Sequence, residues 1–190
     1  ETARILMFFY QNLQEEQDLT FNPGRILGGT QISHEEDEAS TGTAFGKNNV
    51  VAESALVTGD LRAVSPEQLQ RARERMTAIV ADNFPHTSAT ISFSDGYPPL
   101  APTEGNAALL TVYSQASQDL GLGVVEPVNP RLAGAADVSF TTGLVEQAID
   151  GLGMSGSNGH TVDEMGLMSA LPNQSKRAAL LIYRLSQTGQ

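Results

Sequence analysis

The sequence predicts an α/β chain in two parts: a ferredoxin-like α+β unit whose first strand is missing, followed by the last portion of a second α/β unit. Two observations lead to this prediction. The first half alternates helical and strand periodicities in the order helix, strand, strand, helix, strand. A segment with three prolines, residues 97–102, then interrupts regular structure. We therefore place a domain boundary between residues 1–96 and residues 97–190.

The chain opens with an amphipathic helix that should end near Gln14. Leu6, Phe9 and Leu13 fall on one face at helical spacing, with Ile5 beside them. Residues 19–29 follow as a strand, which Asn22-Pro23-Gly24 should confine to a sheet edge or bulge, because proline donates no ladder hydrogen bond.

An acidic, polar stretch over residues 33–42 follows this strand. It could bind a cation, but like charges repel and no apolar residue anchors them, so we favour a solvated hairpin connection. Residues 50–61 then alternate as a second strand.

Ser65-Pro66-Glu67-Gln68 is typical of a helix start, with serine as N-cap, proline at the first helical position and glutamine closing a capping box. The helix should bury a stripe made of Leu69, Ala72, Met76, Ile79 and Val80. Residues 89–93 alternate apolar and polar side chains and predict a third strand.

This order is the split βαβ pattern without its first strand. A parallel crossover needs a strand before the opening helix. We therefore expect the chain to begin inside a domain and to be a fragment of a longer protein.

The second half predicts two helices around short strands. A helix over residues 106–120 should end at Gly121. Residues 124–128 and 148–152 are predicted as strands, with a turn or short helix over residues 134–142. A closing helix over residues 172–187 should bury one face, which consists of Ala178, Leu181, Ile182 and Leu185.

Composition excludes several classes of function. A formal net charge of −11 argues against binding nucleic acid or an anionic membrane, since both require clustered Lys and Arg. No apolar run is long enough to span a bilayer. The absence of cysteine excludes disulfides and thiolate ligands, so any metal here must use His, Asp and Glu, a donor set that suits Zn, Mn or Co.

A glycine-rich loop over residues 151–164 contains one histidine, His160, followed closely by Asp163 and Glu164. Glycine allows such a loop to bring an imidazole to a cation, and histidine is the commonest metal ligand. A solvated loop histidine is the competing interpretation.

Four sequence motifs resemble motifs of one protein family. They are the turn Gly134-Ala135-Ala136-Asp137, the segment Asp150-Gly151-Leu152-Gly153, the segment 159–164 that reads Gly-His-Thr-Val-Asp-Glu, and the strand 49–62 that ends in Asp-Leu-Arg. Together they resemble the zinc-dependent peptidases and deacylases that include glutamate carboxypeptidase, acetylornithine deacetylase, succinyl-diaminopimelate desuccinylase and aminoacylase. Ala52 stands where that family usually has proline.

The resemblance implies a lid, or dimerisation, domain over residues 1–96 and the C-terminal portion of a catalytic domain over residues 97–190. It implies two zinc ions in the intact parent, with Co or Mn as alternatives, and a homodimer formed through the lid. The substrate would be a small peptide or N-acyl amino acid that is cleaved next to a free carboxylate.

Residue roles follow from the same resemblance. His160 matches a metal ligand, Arg131 a residue that binds the substrate carboxylate, and Asn49 a lid residue that reaches the substrate. Arg131 could also be a surface arginine and Asn49 a turn residue. Gly96-Tyr97-Pro98 stands where some relatives carry an arginine, so the resemblance does not imply specificity that depends on that arginine.

Other candidates have simpler interpretations. Glu164 could share a helix face with His160 as a supporting carboxylate, but we favour helix N-terminal acids for both Asp163 and Glu164. Asp137 is expected to fix its glycine-rich turn, and His34 and His86 to be solvated.

Two hypotheses remain. In the first, the chain is part of a metal-dependent exopeptidase or amidohydrolase and is inactive alone, because a catalytic zinc takes about three protein ligands and this chain offers one. In the second, the chain is a non-catalytic dimerisation module.

Overall fold

The computed structural model describes residues 1–34, 41–159 and 161–188. The chain divides into two compact units, Glu1–Pro99 and Leu100–Gln190. Both units contain helices and strands, in agreement with the predicted α/β class.

Outside the undescribed residues 35–40, the first unit contains two helices and four strands. They are α1 (Thr2–Leu13), β1 (Thr20–Gly29), β2 (Gln31–His34), β3 (Gly42–Phe45), β4 (Ser54–Arg62) and α2 (Pro66–Ala81). The two helices pack together and their apolar faces form the core of this unit, whose buried members are Phe9, Leu13, Leu19, Ala72, Met76 and Val80. Leu13 is 1% exposed.

Helices α1 and α2 run antiparallel and are joined near both ends. At one end Arg4 donates to the carbonyl of Ile79 at 2.9 Å and pairs with Glu1 at 2.6 Å. At the other end Glu16 accepts ion pairs from Arg71 and Arg75, at 3.4 Å and 2.9 Å. The Arg4 guanidinium also lies 5.6 Å from the ring centroid of Phe84.

The predicted serine cap of α2 is confirmed, because Ser65 Oγ accepts from the backbone N–H of Gln68 at 3.2 Å. The second bond of the predicted capping box is shifted by one residue: Gln68 Oε1 accepts from the N–H of Val64, at 2.9 Å, instead of that of Ser65. Gln68 is buried, which the apolar pattern did not predict, because its amide also donates to the carbonyl of Gln17 at 2.8 Å. Burying an amide costs little when each of its groups has a partner.

Strands β1 and β4 form an antiparallel ladder, and the predicted irregularity in β1 is confirmed. The register shifts between Pro23 and Arg25, so Gly24 is an extra residue opposite the pair Thr58 and Gly59. Strand β4 begins at Ser54, four residues later than the start predicted at Val50, because Lys47 to Val50 form a turn instead.

Strands β2 and β3 form a separate antiparallel hairpin in which His34 is opposite Gly42. The acidic segment predicted as a hairpin connection joins these two strands, but its residues 35–40 lie outside the described residues.

The strand predicted over residues 89–93 is not formed. These residues belong to no ladder in the part of the chain that the structure describes, although Ala89 and Ile91 pack against the core while their neighbours are exposed. The side chains of this segment therefore alternate between core and solvent as in a strand, but no described strand is hydrogen-bonded to it. The full ferredoxin-like sheet accordingly stays a prediction, since the ladders described here have two strands each.

The second unit contains α3 (Glu104–Asp119), the short strands β5 (Gly156–Ser157) and β6 (Met165–Gly166), and α4 (Leu171–Thr188). One-turn 3-10 helices cover Pro130–Leu132, Asp137–Thr141 and Met168–Ala170. The short helix predicted within residues 134–142 is thus confirmed.

Helix α3 ends as predicted at Gly121, whose φ of +71° is accessible to glycine. The N–H of Leu122 bonds to the carbonyl of Ser117 and the N–H of Gly121 to that of Gln118, both at 2.9 Å. This pair of bonds is a Schellman motif and satisfies carbonyls that the helix itself leaves free.

Two strand predictions in this unit are wrong. Residues 124–128 and 148–152 are not assigned to strands. The predicted inner face of α4 is also partly wrong: Leu181 is buried, but Ile182 is 66% exposed and Leu185 is 41% exposed. Polar side chains occupy part of the inner face instead, as described below. Among the described residues, no helix is long and apolar enough to cross a membrane.

Candidate functional site

The glycine-rich segment folds into a small hairpin. Strands β5 and β6 pair Gly156 with Gly166 and Ser157 with Met165, and the N–H of Leu167 bonds to the carbonyl of Ser155 at 2.8 Å. Residues 158, 159 and 161–164 form the described part of the tip of this hairpin. His160, the predicted metal ligand, lies outside the described residues.

Local hydrogen bonds shape the tip. The Asn158 carbonyl accepts from Thr161 twice, from its N–H at 3.2 Å and from its Oγ at 2.7 Å. Asn158 Nδ2 donates to the Asp163 carbonyl at 3.3 Å. Asn158 has a φ of +56°, a left-handed conformation that asparagine tolerates better than most residues. Asparagine and threonine thus close the tip through turn chemistry.

The helical interpretation of Asp163 and Glu164 is wrong. Residues 161–164 form turns rather than a helix, with the N–H of Glu164 bonded to the Thr161 carbonyl at 3.2 Å. Glu164 therefore does not lie on a helix, and its predicted position on a helix face is wrong. Neither acid lies at a helix N-terminus, because β6 follows this turn.

The base of the hairpin is fastened to α4. Gln174 Nε2 donates to the Gly153 carbonyl at 2.8 Å, and Gln174 Oε1 accepts from Arg177 Nη1 at 2.7 Å. Arg177 in turn donates to Ser117 Oγ at 2.8 Å and to the Leu122 carbonyl at 3.0 Å. Arg177 thereby joins α4 to the end of α3, and Gln174, to which it is bonded, joins α4 to Gly153.

Neither Gln174 nor Arg177 was singled out from the sequence. The sequence does contain a pattern that indicates their role, because the two residues are three positions apart in α4 and lie on the side of the helix that carries Leu181. Polar residues on the apolar side of a helix predict buried hydrogen bonds.

Arg131 lies in the 3-10 turn Pro130–Leu132, where its backbone N–H donates to Asn129 Oδ1 at 3.0 Å. The side chain is exposed. Within the described ranges its guanidinium makes no hydrogen bond or ion pair. The predicted role in binding a substrate carboxylate stays a prediction.

Asn49 lies in the exposed turn between β3 and β4, where the N–H of Val50 bonds to the Lys47 carbonyl at 3.0 Å. It belongs to the first unit, whereas Arg131 belongs to the second. The turn-residue interpretation fits its local structure.

The remaining candidates are also placed. Asp137 opens the 3-10 helix Asp137–Thr141. His34 is exposed at the end of β2 rather than in a loop, and His86 is exposed in a turn with a φ of +65°.

The described residues do not fit a catalytic metal on their own. Over residues 1–34, 41–159 and 161–188, no group of three or more His, Cys, Asp or Glu side chains could hold an ion. A catalytic zinc requires about three such ligands.

Comparison with known families relates the first unit to one domain type. Residues 2–88 match the family described as peptidase dimerisation domain. The match covers most of Glu1–Pro99 and none of the second unit, and it supports a relationship to that peptidase family broadly. A search of curated proteins found no match to the chain.

Proposed function

We propose that this chain is part of a metal-dependent exopeptidase or amidohydrolase that hydrolyses a peptide or N-acyl amino acid bond next to a free carboxylate. The observation that carries the proposal is the match of residues 2–88 to a peptidase dimerisation domain. The order of motifs in the second unit supports it, because the glycine-rich sequence between β5 and β6 contains one histidine.

Within this proposal three residues have distinct roles. His160 supplies one ligand to a zinc site whose other ligands come from outside this chain. Arg131 binds the substrate carboxylate, which suits a planar guanidinium that grips two oxygens and has an exposed side chain here. Asn49 reaches the substrate from the first unit.

The proposal predicts that the chain by itself neither holds zinc tightly nor hydrolyses N-acyl amino acids or dipeptides. The measurement is metal content after dialysis, together with turnover in the presence of added zinc. His160→Ala is the matched control, since trace metal bound elsewhere would be unchanged by it. Turnover above blank that a chelator abolishes would overturn this part of the proposal.

The first unit is proposed to form the homodimer. Its surface exposes apolar side chains on two elements: Met7 on α1 and Ile26 on β1 are 50% and 55% exposed. Apolar area of this kind is stabilised by burial in an interface. One helical turn from Met7, Tyr10 contacts Phe21 of β1, with ring centroids 4.7 Å apart and ring planes tilted by 48°, so α1 and β1 are in contact.

Light scattering tests the dimer. We expect a mass of two chains at micromolar concentration, and Met7→Glu together with Ile26→Glu should shift it toward the 20.2 kDa of one chain. Thr77→Glu together with Ala78→Glu, an equal charge change at two exposed positions of α2, is the control. A single-chain mass for the unmodified protein across that range would contradict the dimer.

The second candidate function is a non-catalytic dimerisation module. The lack of a metal-binding group among the described residues favours it for the chain alone. Activity assays on a longer protein that contains this chain separate the two candidates, because only the first predicts that His160→Ala removes hydrolysis.

A further inference from the structure

The tip of the β5–β6 hairpin contains the only Asn-Gly pair in the sequence, Asn158-Gly159. Asparagine is chemically labile when the next backbone nitrogen can reach its side-chain carbonyl carbon. Glycine permits this approach best, because it has no side chain to screen that nitrogen. Asn48, Asn83, Asn173 and the other asparagines precede bulkier residues or proline.

The structure leaves the reacting nitrogen accessible. Asn158 and Gly159 are both exposed. The tip hydrogen bonds occupy the carbonyl and Nδ2 of Asn158, but among described residues the Gly159 N–H bonds to nothing. A Cβ placed on Gly159 would meet no atom within 4 Å. The bond that restrains the Asn158 amide is long, at 3.3 Å, and is weak at that length.

We propose that Asn158 is a site of spontaneous deamidation through a succinimide. The Gly159 nitrogen loses its proton and bonds to Cγ of Asn158; the Cγ–Nδ2 bond breaks and ammonia leaves. Water then adds to either carbonyl of the five-membered ring and opens it, which gives aspartate or isoaspartate. No oxidant or reductant is needed, and the rate rises with pH because the attacking nitrogen must be deprotonated.

The product changes the hairpin tip. Both products replace an amide donor by a carboxylate, so the bond from Asn158 Nδ2 to the Asp163 carbonyl is lost. Isoaspartate also routes the main chain through the former side chain, which lengthens it by one methylene two residues before position 160. Deamidation itself does not depend on the ligand role proposed above for His160.

Peptide mapping by mass spectrometry tests the proposal. The folded chain is incubated at mildly alkaline pH and digested, and Asp, isoAsp and Asn forms of each peptide are separated by chromatography. We expect conversion at Asn158 to exceed that at Asn48, Asn49 and Asn83 several-fold, with isoaspartate as the larger product. Aspartate alone would indicate direct hydrolysis and would overturn the succinimide route.

Gly159→Ala is the matched variant. Gly159 does not adopt a positive φ and has open space around a Cβ, so alanine should leave the fold intact and slow conversion at Asn158 several-fold. Circular dichroism before incubation verifies the fold. Equal conversion in both proteins, or conversion spread evenly over the exposed asparagines, would overturn the proposal.

Discussion

Replacement of Arg177 by methionine should destabilise the second unit substantially. Methionine keeps a similar apolar length but removes every donor. Three acceptors then lose a partner: Ser117 Oγ, the Leu122 carbonyl and Gln174 Oε1, now bonded at 2.8, 3.0 and 2.7 Å.

The three losses differ because the acceptors differ in burial. Ser117 is 0% exposed, and leaving a buried polar group unsatisfied costs about 1–3 kcal/mol. Leu122 and Gln174 are only half-buried, so water can replace the arginine there, and each bond should cost about 0.5–1.5 kcal/mol. We therefore expect a total loss of about 2–6 kcal/mol in the free energy of unfolding.

Urea unfolding and amide hydrogen exchange of α3 provide the measurement, since exchange in α3 reports on the second unit. Ser117→Ala completes a double-mutant cycle: with the hydroxyl gone, Arg177→Met should cost about 1–2 kcal/mol less than in the unmodified chain. Arg184→Met is the matched control, because Arg184 pairs with a partly exposed Asp119 on the same helix pair and should cost at most about 1 kcal/mol. Equal losses for the two arginines, or a cycle without coupling, would refute the reasoning.

Three further predictions concern pH and the proposed site. The hydrogen bond from Arg4 lowers the pKa of Glu1 from 4.5 to about 2, so Glu1 should stabilise the folded chain above pH 4.5 and lose that effect as the pH falls toward 2. Glu1→Gln should remove this part of the pH dependence of the thermal unfolding temperature. An unchanged pH profile in that variant would contradict the prediction. In a longer protein that supplies the other metal ligands, His160→Ala should abolish activity and lower the metal content. A near-normal kcat for that variant would mean that His160 is not a metal ligand. In the same longer protein, Arg131→Ala should lower kcat/KM about 10- to 100-fold for substrates with a free carboxylate, since a hydrogen bond to a charged group contributes roughly 1.5–3 kcal/mol. An equal loss for the matching amide substrate would exclude a role for Arg131 in binding the carboxylate.

Helix ends could be predicted from the sequence because their chemistry is local. Ser65, Pro66 and Gln68 determine the start of α2 within four residues, and the structure has the expected serine cap. Gly121 ends α3 for an equally local reason, its positive φ. No distant residue is needed for either feature.

The sequence predicts which residues are candidates for the site, but not how they are arranged in space. The four-residue spacing between His160 and Glu164 suggested a helix, whereas Asn158 and Thr161 close turns that a spacing rule ignores. The Arg177 network was missed for a related reason. Its partners Ser117 and Leu122 are distant in sequence and come close only when α3 packs on α4.

Strand pairing is the feature that sequence periodicity leaves undetermined. An alternating pattern specifies an extended backbone with two distinct faces, and residues 88–92 have that form, with Ala89 and Ile91 turned toward the core. Pairing requires a second strand in register, which the pattern does not encode. Within the described part of the chain, residues 88–94 make no backbone hydrogen bonds. Because backbone donors and acceptors are satisfied by water when no strand is available, this segment is held by side-chain packing alone, and its exposed polar groups remain open to pairing with another strand.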